Sequence, residues 1–228
     1  MTLISEVNTP IAQLVLAHGA GAGMNSDFMA LAAKLFAQQH IQVIRFDFEY
    51  MQKAVALDRR QPPDRMPKLQ AYYHHVIEGI DSSLPLFIGG KSMGGRVASM
   101  ILDSSPALGG ICFGYPFHPP GKADKLRTEH LYTLGKPLLV VQGCRDTFGT
   151  QEEVSEYALP DSIRLLFLED GDHSFKPRKK SGFSQAQHII QAIETSSEFI
   201  RQIVAGQRSS AVKDKTYFAQ HNAPIKGS

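Results

Sequence analysis

The residues best suited to chemistry lie in the segment Gly90–Gly94, which reads GKSMG and has the pattern G-x-S-x-G. A short apolar run, Leu84–Ile88, precedes it, and a helical pattern over Arg96–Leu102 follows it. In a sharp turn from a buried strand to a helix, this pattern holds a serine in a strained conformation with its hydroxyl exposed above the sheet. The sequence therefore predicts that Ser92 is a nucleophile. The alternative is an ordinary serine in a glycine-rich turn, and the flanking strand and helix argue against it.

A serine hydroxyl needs a base to take its proton, and the base needs an acid to orient it. Both are expected in loops after later strands, in the chain order serine, acid, histidine. Asp146 follows the predicted strand Pro137–Gln142, and His173 follows the predicted strand Ile163–Leu168. We therefore expect His173 to be the base for Ser92, with Asp146 as its acid.

Each of these two positions has an ordinary alternative interpretation. An aspartate after a strand is often a turn or cap residue, and a histidine in a Gly-Asp-His-Ser loop is often a surface residue. Asp172 is a rival acid, but as the immediate neighbour of His173 it is badly placed to reach the ring nitrogen. The agreement of three positions in order and context favours Asp146 and the catalytic interpretation.

Acyl transfer also requires donors for the developing oxyanion, each worth roughly 3 kcal/mol. The first expected donor is the backbone N–H of the residue after the nucleophile, Met93. The second is expected from the glycine-rich loop His18–Gly23, through the N–H of Ala20 or, as a close alternative, Gly21. This loop lacks the G-x-G-x-x-G and G-x-x-x-x-G-K-[ST] spacings, so a nucleotide site is not expected there.

The substrate pocket is expected to be open or shallow, because no insertion is long enough to form a helical cap. The longest segments that could line it are Asp47–Arg65 and Tyr115–Leu131. Gly21, Tyr115 and His118 are the predicted substrate contacts, although a proline-rich surface loop accounts equally well for the last two.

A basic run follows His173 closely. It is either a solvated turn or, if it faces the cleft, a feature that favours an anionic ester or thioester. Its members are Lys176, Arg178, Lys179 and Lys180.

Apolar runs alternate with amphipathic helical patterns, which predicts an α/β fold with a mostly parallel sheet of about six to seven strands and helices on both faces. The confident strands are Ile11–Ala17, Ile41–Phe46, Leu84–Ile88, Gly110–Gly114, Pro137–Gln142 and Ile163–Leu168. Helices are predicted after Ser26, Pro67, Gly95, Thr150 and Ser184, and over Leu126–Leu134. The helix starts at Thr150 and Ser184 have capping boxes, which Glu153 and Gln187 complete. The segment Asp47–Arg65 is predicted to be an irregular surface excursion.

The length of 228 residues suits one domain over residues 1–205, with a C-terminal tail over 206–228. A net charge of +2 argues against nucleic acid or an anionic membrane as the main partner. No signal peptide or membrane span is expected, and two free thiols, Cys112 and Cys144, fit a reducing cytoplasm. His74 and His75 are adjacent on a predicted helix and do not face each other, so a metal site is not expected there. No cofactor is expected.

The motif around Ser92 and the residues predicted to assist it resemble those of the serine α/β-hydrolases, over roughly Ile11–Val204. Three longer segments resemble a group of bacterial hydrolases related to the dienelactone hydrolases and to hydrolase-like domains of animals. They are Arg45–Arg65, Gly114–Leu131 and Gly143–Gly182. The resemblance implies an α/β-hydrolase fold with little or no cap domain. Dienelactone hydrolases use a cysteine where this chain has Ser92, so their substrate is not carried over.

The expected activity is that of a serine hydrolase of the carboxylesterase or thioesterase type, which cleaves a small acyl ester or thioester through an acyl-enzyme. The alternative is a catalytically silent protein-binding module with the hydrolase fold, which the resemblance to animal domains allows. A peptidase is a weaker option, because no appended domain is present to gate peptides. The expected assembly is a monomer or a homodimer.

Overall fold

A single sheet of seven strands dominates the structure, a computed structural model that describes residues 2–80 and 83–221. The strands are β1 (Thr2–Ile4), β2 (Ala12–Ala17), β3 (Ile41–Phe46), β4 (Leu86–Lys91), β5 (Gly109–Phe113), β6 (Leu138–Gly143) and β7 (Ile163–Leu168). Their order across the sheet is β1-β3-β2-β4-β5-β6-β7. Only the short edge strand β1 is antiparallel to its neighbour among these strands, and the others pair in parallel.

Six α-helices and a 3-10 turn connect the strands in the described ranges. They are α1 (Asp27–Gln38), α2 (Glu49–Ala56), α3 (Met66–Glu78), α4 (Met93–Ile101), the 3-10 turn Glu129–Thr133, α5 (Gln151–Ser155) and α6 (Gln185–His221). Both predicted capping boxes are present, with Thr150 and Glu153 at α5 and Ser184 and Gln187 at α6. Ser26 occupies the N-cap of α1 but makes no side-chain capping hydrogen bond.

The sheet has an apolar layer on each face, so its central strands are buried on both sides. Alternate residues of β2 serve the two layers: Val15 packs with α3 and α4, whereas Leu14 packs with α1 and α6. Tyr73 of α3 ties one layer to the sheet, because its hydroxyl donates to the carbonyl oxygen of Val15 at 2.8 Å. The predicted fold class, with helices on both faces, is confirmed.

Three local predictions were wrong or incomplete. The three-residue strand β1 was missed, since it is too short and exposed to show a period. Asp47–Arg65 was predicted to be irregular, but α2 lies inside it; Tyr50 is its one buried residue, so the sequence shows no apolar stripe there. The helix predicted over Leu126–Leu134 is only a 3-10 turn, Glu129–Thr133.

The last helix passes the predicted tail boundary at residue 205 and continues to His221. Residues 222–228 of the predicted tail lie outside the described residues. Both cysteines are free thiols, Cys112 buried and Cys144 half-buried. His74 is half-buried and His75 exposed. No helix in the described ranges combines the length and apolarity that crossing a bilayer requires.

Candidate active site

The site forms where the order of the parallel strands reverses. After β2 the chain crosses to β3 on one side, and β4 then pairs with β2 on the other side. The loops that leave the carboxyl ends of β2 and β4 therefore diverge and open a crevice, the usual ligand position in open α/β sheets. Ala17 and Gly90 pair at these two ends, so the loop that begins at His18 lies beside the turn that carries Ser92.

Ser92 sits in the strained turn that the sequence predicts. Its backbone has φ 52° and ψ −116°, a combination that costs a non-glycine residue of order 1–3 kcal/mol. Close backbone packing maintains this strain. A Cβ on Gly94 would lie 2.5 Å from the carbonyl oxygen of His18, and one on Gly90 would overlap the backbone of Gly94. The N–H of Ser92 also donates to the carbonyl oxygen of Phe113 at 2.9 Å.

The structure brings Ser92, His173 and Asp146 into one hydrogen-bonded relay. The distance from His173 Nε2 to Ser92 Oγ is 2.9 Å. On the other side of the ring, His173 Nδ1 lies 2.7 Å from Asp146 Oδ2. These three residues come from the turn after β4, the loop after β6 and the loop after β7.

The surroundings of Asp146 establish its role as an acceptor. The residue is fully buried, and its Oδ2 also accepts from Gln142 Nε2 at 3.0 Å. Its Oδ1 accepts from the N–H of Phe148 at 2.9 Å. Because a carboxylate only accepts hydrogen bonds, and two other donors already point at this one, His173 must present its Nδ1 proton to Asp146. The bare Nε2 then accepts the Ser92 hydroxyl.

The imidazole is held by packing as well as by hydrogen bonds. The ring of Phe148 lies 4.3 Å from that of His173, measured between centroids. Lys91 Nζ also donates to the backbone carbonyl oxygen of His173 at 2.6 Å. Burial lowers the pKa of Lys91 to about 8, while the charges of Asp146 and Asp172 oppose this shift.

Asp172, the rival acid, serves its own loop instead. Its Oδ1 accepts from the N–H groups of Ser174 at 2.8 Å and Lys176 at 2.9 Å. Those bonds shape the turn that follows His173. The nitrogen Nδ1 of His173 is bonded to Asp146, in agreement with the preference drawn from the sequence.

The glycine-rich loop after β2 is anchored from the protein interior. His18 is buried, and its Nε2 accepts from the N–H of Phe48 at 3.1 Å, so its Nδ1 donates to the carbonyl oxygen of Gly19 at 2.7 Å. Burial also lowers the pKa of His18, which keeps the ring neutral. The Tyr50 hydroxyl donates to the carbonyl oxygen of Ala20 at 3.2 Å.

These anchors decide which way the N–H groups of the loop point. In a trans peptide the carbonyl and the N–H of one unit point in opposite directions. The Gly19 and Ala20 carbonyls are directed towards interior side chains, so the N–H groups of Ala20 and Gly21 are directed the other way. Met93 begins α4, where N–H groups have no acceptor within the helix.

An open cavity of about 440 Å³ lies over Ser92. Its walls are the loop after β2, the start of α1 and the loop after β7. The lining residues include Ala20, Gly21, Phe28, Lys91, Ser92 and His173. Both residues of the loop after β2 that were predicted to act in the site, Ala20 and Gly21, therefore border the same space as the relay.

Other predicted pocket residues lie elsewhere. Tyr115 and His118 are buried, with exposed fractions of 0% and 2%, and neither lines this cavity. Tyr115 donates to the carbonyl oxygen of Arg127 at 2.8 Å, and His118 lies 3.4 Å from Glu153. They stand outside the cavity because the start of the proline-rich segment, Tyr115–His118, folds inward, and their role as substrate contacts stays a prediction.

The basic run after His173 does not line the cavity either. Its four side chains are exposed, and Arg178 pairs with Asp170. This placement fits the solvated-turn interpretation, and the alternative in which the run faces the cleft is not supported.

Several residues that shape the site were missed at the sequence level. Three residues contact the relay or the loop after β2 without being specified by any motif: Lys91, Tyr50 and Phe148. For Lys91 there was one usable signal: it stands between a buried strand and the predicted nucleophile, where a charged residue is uncommon. Within residues 2–80 and 83–221, no group of three or more potential ligands forms a metal site.

Comparisons with known proteins agree with this architecture. Residues 10–201 match the family described as the alpha/beta hydrolase domain. The fold is similar to that of Est1E from Butyrivibrio proteoclasticus, solved with ferulic acid bound, at 12% identity and a TM-score of 0.67, covering 90% of this chain and 95% of that chain.

Two further solved structures share the fold at low sequence identity. A dienelactone hydrolase from Anabaena variabilis has 16% identity and a TM-score of 0.64, with coverage of 88% of this chain and 90% of that chain. XC6422 from Xanthomonas campestris, described as a serine hydrolase without a lid, has 16% identity and a TM-score of 0.62, with coverage of 90% and 88%. At these identities the likeness concerns the fold alone.

Proposed function

Since the chain belongs to the alpha/beta hydrolase family, we propose that it is a serine hydrolase that cleaves a small acyl ester or thioester. The relay of Ser92, His173 and Asp146, with separations of 2.9 and 2.7 Å, is the observation that carries this proposal. Those distances allow proton transfer between the serine and the imidazole without rearrangement.

In the first half of the reaction, Ser92 Oγ attacks the carbonyl carbon of the substrate as its proton passes to His173 Nε2. Asp146 stabilises the imidazolium that forms. The carbonyl oxygen becomes an oxyanion, for which the N–H groups of Met93 and Ala20 are the proposed donors, with Gly21 as the alternative to Ala20. When this intermediate collapses, His173 returns the proton to the departing alkoxide or thiolate, and the acyl group stays on Ser92.

In the second half, water replaces the leaving group. His173 Nε2 takes a proton from the water molecule while the water oxygen attacks the acyl carbon. When the second intermediate collapses, His173 passes this proton to Ser92 Oγ. The carboxylic acid leaves through the open cavity above the serine. Each step uses only water and groups of the chain.

The strained backbone at Ser92 gives physical support to this assignment. Positive φ with ψ near −116° is costly and persists only where the surroundings impose it. Here the close approach of strand, loop and helix imposes it at Ser92, whose hydroxyl lies 2.9 Å from the imidazole. A serine with a purely structural role has no need of this arrangement.

The test is turnover of a panel of p-nitrophenyl esters and acyl-thioesters of increasing chain length, with Ser92→Ala as the blank. We expect turnover of at least one short acyl substrate, with kcat at least about 10⁴-fold lower in the variant. Turnover that survives in Ser92→Ala contradicts the proposal. Absence of turnover across the panel, together with no covalent labelling of Ser92, favours the non-catalytic binding module.

A further inference from the structure

Lys91 is a charged residue of the cavity that the proposed chemistry does not use. Lys91 ends β4, directly before Ser92, and is among the residues that line the same cavity as Ser92 and His173. The exposed basic run of the loop after β7, in contrast, does not line this cavity. Lys91 enters the site from the end of β4, a central strand of the sheet.

The ammonium group of Lys91 is only partly satisfied by its neighbours. It donates to the carbonyl oxygen of His173 at 2.6 Å, which uses one of its three donors. It also lies over two aromatic rings, 5.1 Å from the centroid of Phe175 and 5.9 Å from that of Phe28. Among the described residues, no carboxylate lies within ion-pair distance of it.

The backbone next to the Lys91 ammonium leaves room for it, because the residue there is a glycine, Gly114. Gly114 has φ +66°, and a Cβ at this position would lie 2.6 Å from Lys91 Nζ. The same Cβ would lie 3.3 Å from His173 Cε1. The ammonium and the imidazole edge therefore flank one glycine, and the charge lies beside the catalytic ring.

We propose that Lys91 binds a carboxylate of the substrate, so that the preferred substrates are esters or thioesters whose acyl part carries a second, ionised carboxyl group. This inference rests on the proposed function and specifies its substrate class. A carboxylate in the cavity supplies the counter-ion that Lys91 lacks. The pair gains strength because apolar and aromatic walls shield it from water.

Several charged groups face Lys91 and influence its ionisation. Asp146 and Asp172 interact with it from the loops after β6 and β7. His173 lies against it, and Asp27 borders the same cavity from the start of α1. Burial lowers the pKa of Lys91 to about 8, so the ammonium is present at neutral pH and is lost in moderately alkaline solution.

The experiment compares matched pairs of ethyl esters that differ only in a terminal carboxylate. Monoethyl succinate, glutarate and adipate are each paired with the neutral ethyl ester of the same acyl length, and released ethanol is measured. We expect kcat/KM to favour the charged member about 10- to 100-fold at pH 7 for at least one length. The preference should fall as pH rises through about 8, because kcat/KM reports the ionisation of the free enzyme.

The pH dependence is measured on the unmodified protein, so it does not depend on a variant folding. Both members of a pair use the same Ser92 and His173, so the ratio cancels their titration. A ratio near one at pH 7, or a preference that does not change with pH, overturns the inference while leaving the proposed function intact. Failure to cleave either member, with no labelling of Ser92, would instead count against the proposed function.

A charge-neutral variant of similar shape separates recognition from positioning. Lys91→Met keeps the apolar stem against Phe28 and Phe175 but loses the bond to His173, so both esters should be cleaved more slowly. The charged ester should lose at least tenfold more than the neutral one. Lys179→Gln, which removes an exposed cation from the loop after β7, is the matched control and should keep the preference. Equal losses for both esters in Lys91→Met would show that Lys91 only positions His173.

Discussion

Two parts of the site are built in different ways. The turn around Ser92 is shaped by backbone packing, because Gly90 and Gly94 allow β4, α4 and the loop after β2 to come into close contact. The loop after β2 and the imidazole are placed by side chains, among them Tyr50 and Asp146, that are distant in sequence. Because backbone packing shapes the first part, the glycines that it requires appear in the sequence as a motif. The second part depends on hydrogen bonds that can be removed one at a time.

The largest effect is expected from the relay, where a side-chain change should remove activity and spare the fold. Asp146→Asn keeps the shape but lets the amide donate, which favours the wrong tautomer of His173. We expect kcat to fall by about 10³- to 10⁴-fold with KM little changed. Steady-state kinetics on the best ester measures this loss.

The matched control is Asp172→Asn, which alters the carboxylate next to His173 in sequence. Since Asp172 bonds backbone N–H groups of its own loop, we expect less than a tenfold loss of kcat. If the two variants exchanged these magnitudes, Asp172 and not Asp146 would be the acid.

In the backbone-built part the corresponding change should affect folding. A Cβ in Gly94→Ala meets the carbonyl oxygens of His18 and Ala17 at 2.5 and 2.6 Å, and backbone atoms cannot move aside cheaply. We expect the free energy of unfolding to fall by about 3 kcal/mol or more. Urea denaturation followed by circular dichroism measures it.

Gly21→Ala is the control for that experiment, because no atom lies within 4 Å of a Cβ there. Its effect on stability should stay within about 0.5 kcal/mol. Similar losses in the two variants would contradict the claim that backbone packing at Gly94 maintains the turn.

The contrast explains how much of the molecule could be predicted from the sequence. Every strand except β1 showed as an apolar run, and Ser92, Asp146 and His173 follow three of these runs in the expected order. Their geometry is set by strand order and local turns, which leave a pattern in the chain. The burial of Tyr115 in the core could not be predicted in this way, because a proline-rich segment can have the same composition whether it lies on the surface or beneath it.

Lys91 and Tyr50 illustrate the same limit at the site itself. Lys91 contacts His173, which is 82 positions away, and Tyr50 contacts Ala20, which is 30 positions away. No local periodicity encodes contacts of that span. Helix α2 was missed for a related reason: it presents only one buried residue, and that residue, Tyr50, anchors the loop after β2.

The smallest effect is expected from the loss of one of the hydrogen bonds that position the loop after β2. Tyr50→Phe removes the hydroxyl that donates to the Ala20 carbonyl but keeps the ring packed against His18. If the proposed oxyanion donors depend on this bond, kcat should fall about 3- to 10-fold with KM nearly constant. Tyr132→Phe, at an exposed tyrosine, is the control and should match the unmodified protein. An unchanged kcat in Tyr50→Phe would show that the other anchors of the loop suffice.

The central claim is that folding makes Ser92 a nucleophile, and covalent labelling tests it most directly. The protein is treated with a fluorophosphonate and its intact mass is measured, alongside Ser92→Ala and His173→Ala, with peptide mapping to locate the adduct. The account predicts one adduct per chain at Ser92, none in Ser92→Ala, and strongly slowed labelling in His173→Ala. An unlabelled protein, or an adduct at another residue that persists in Ser92→Ala, would contradict it.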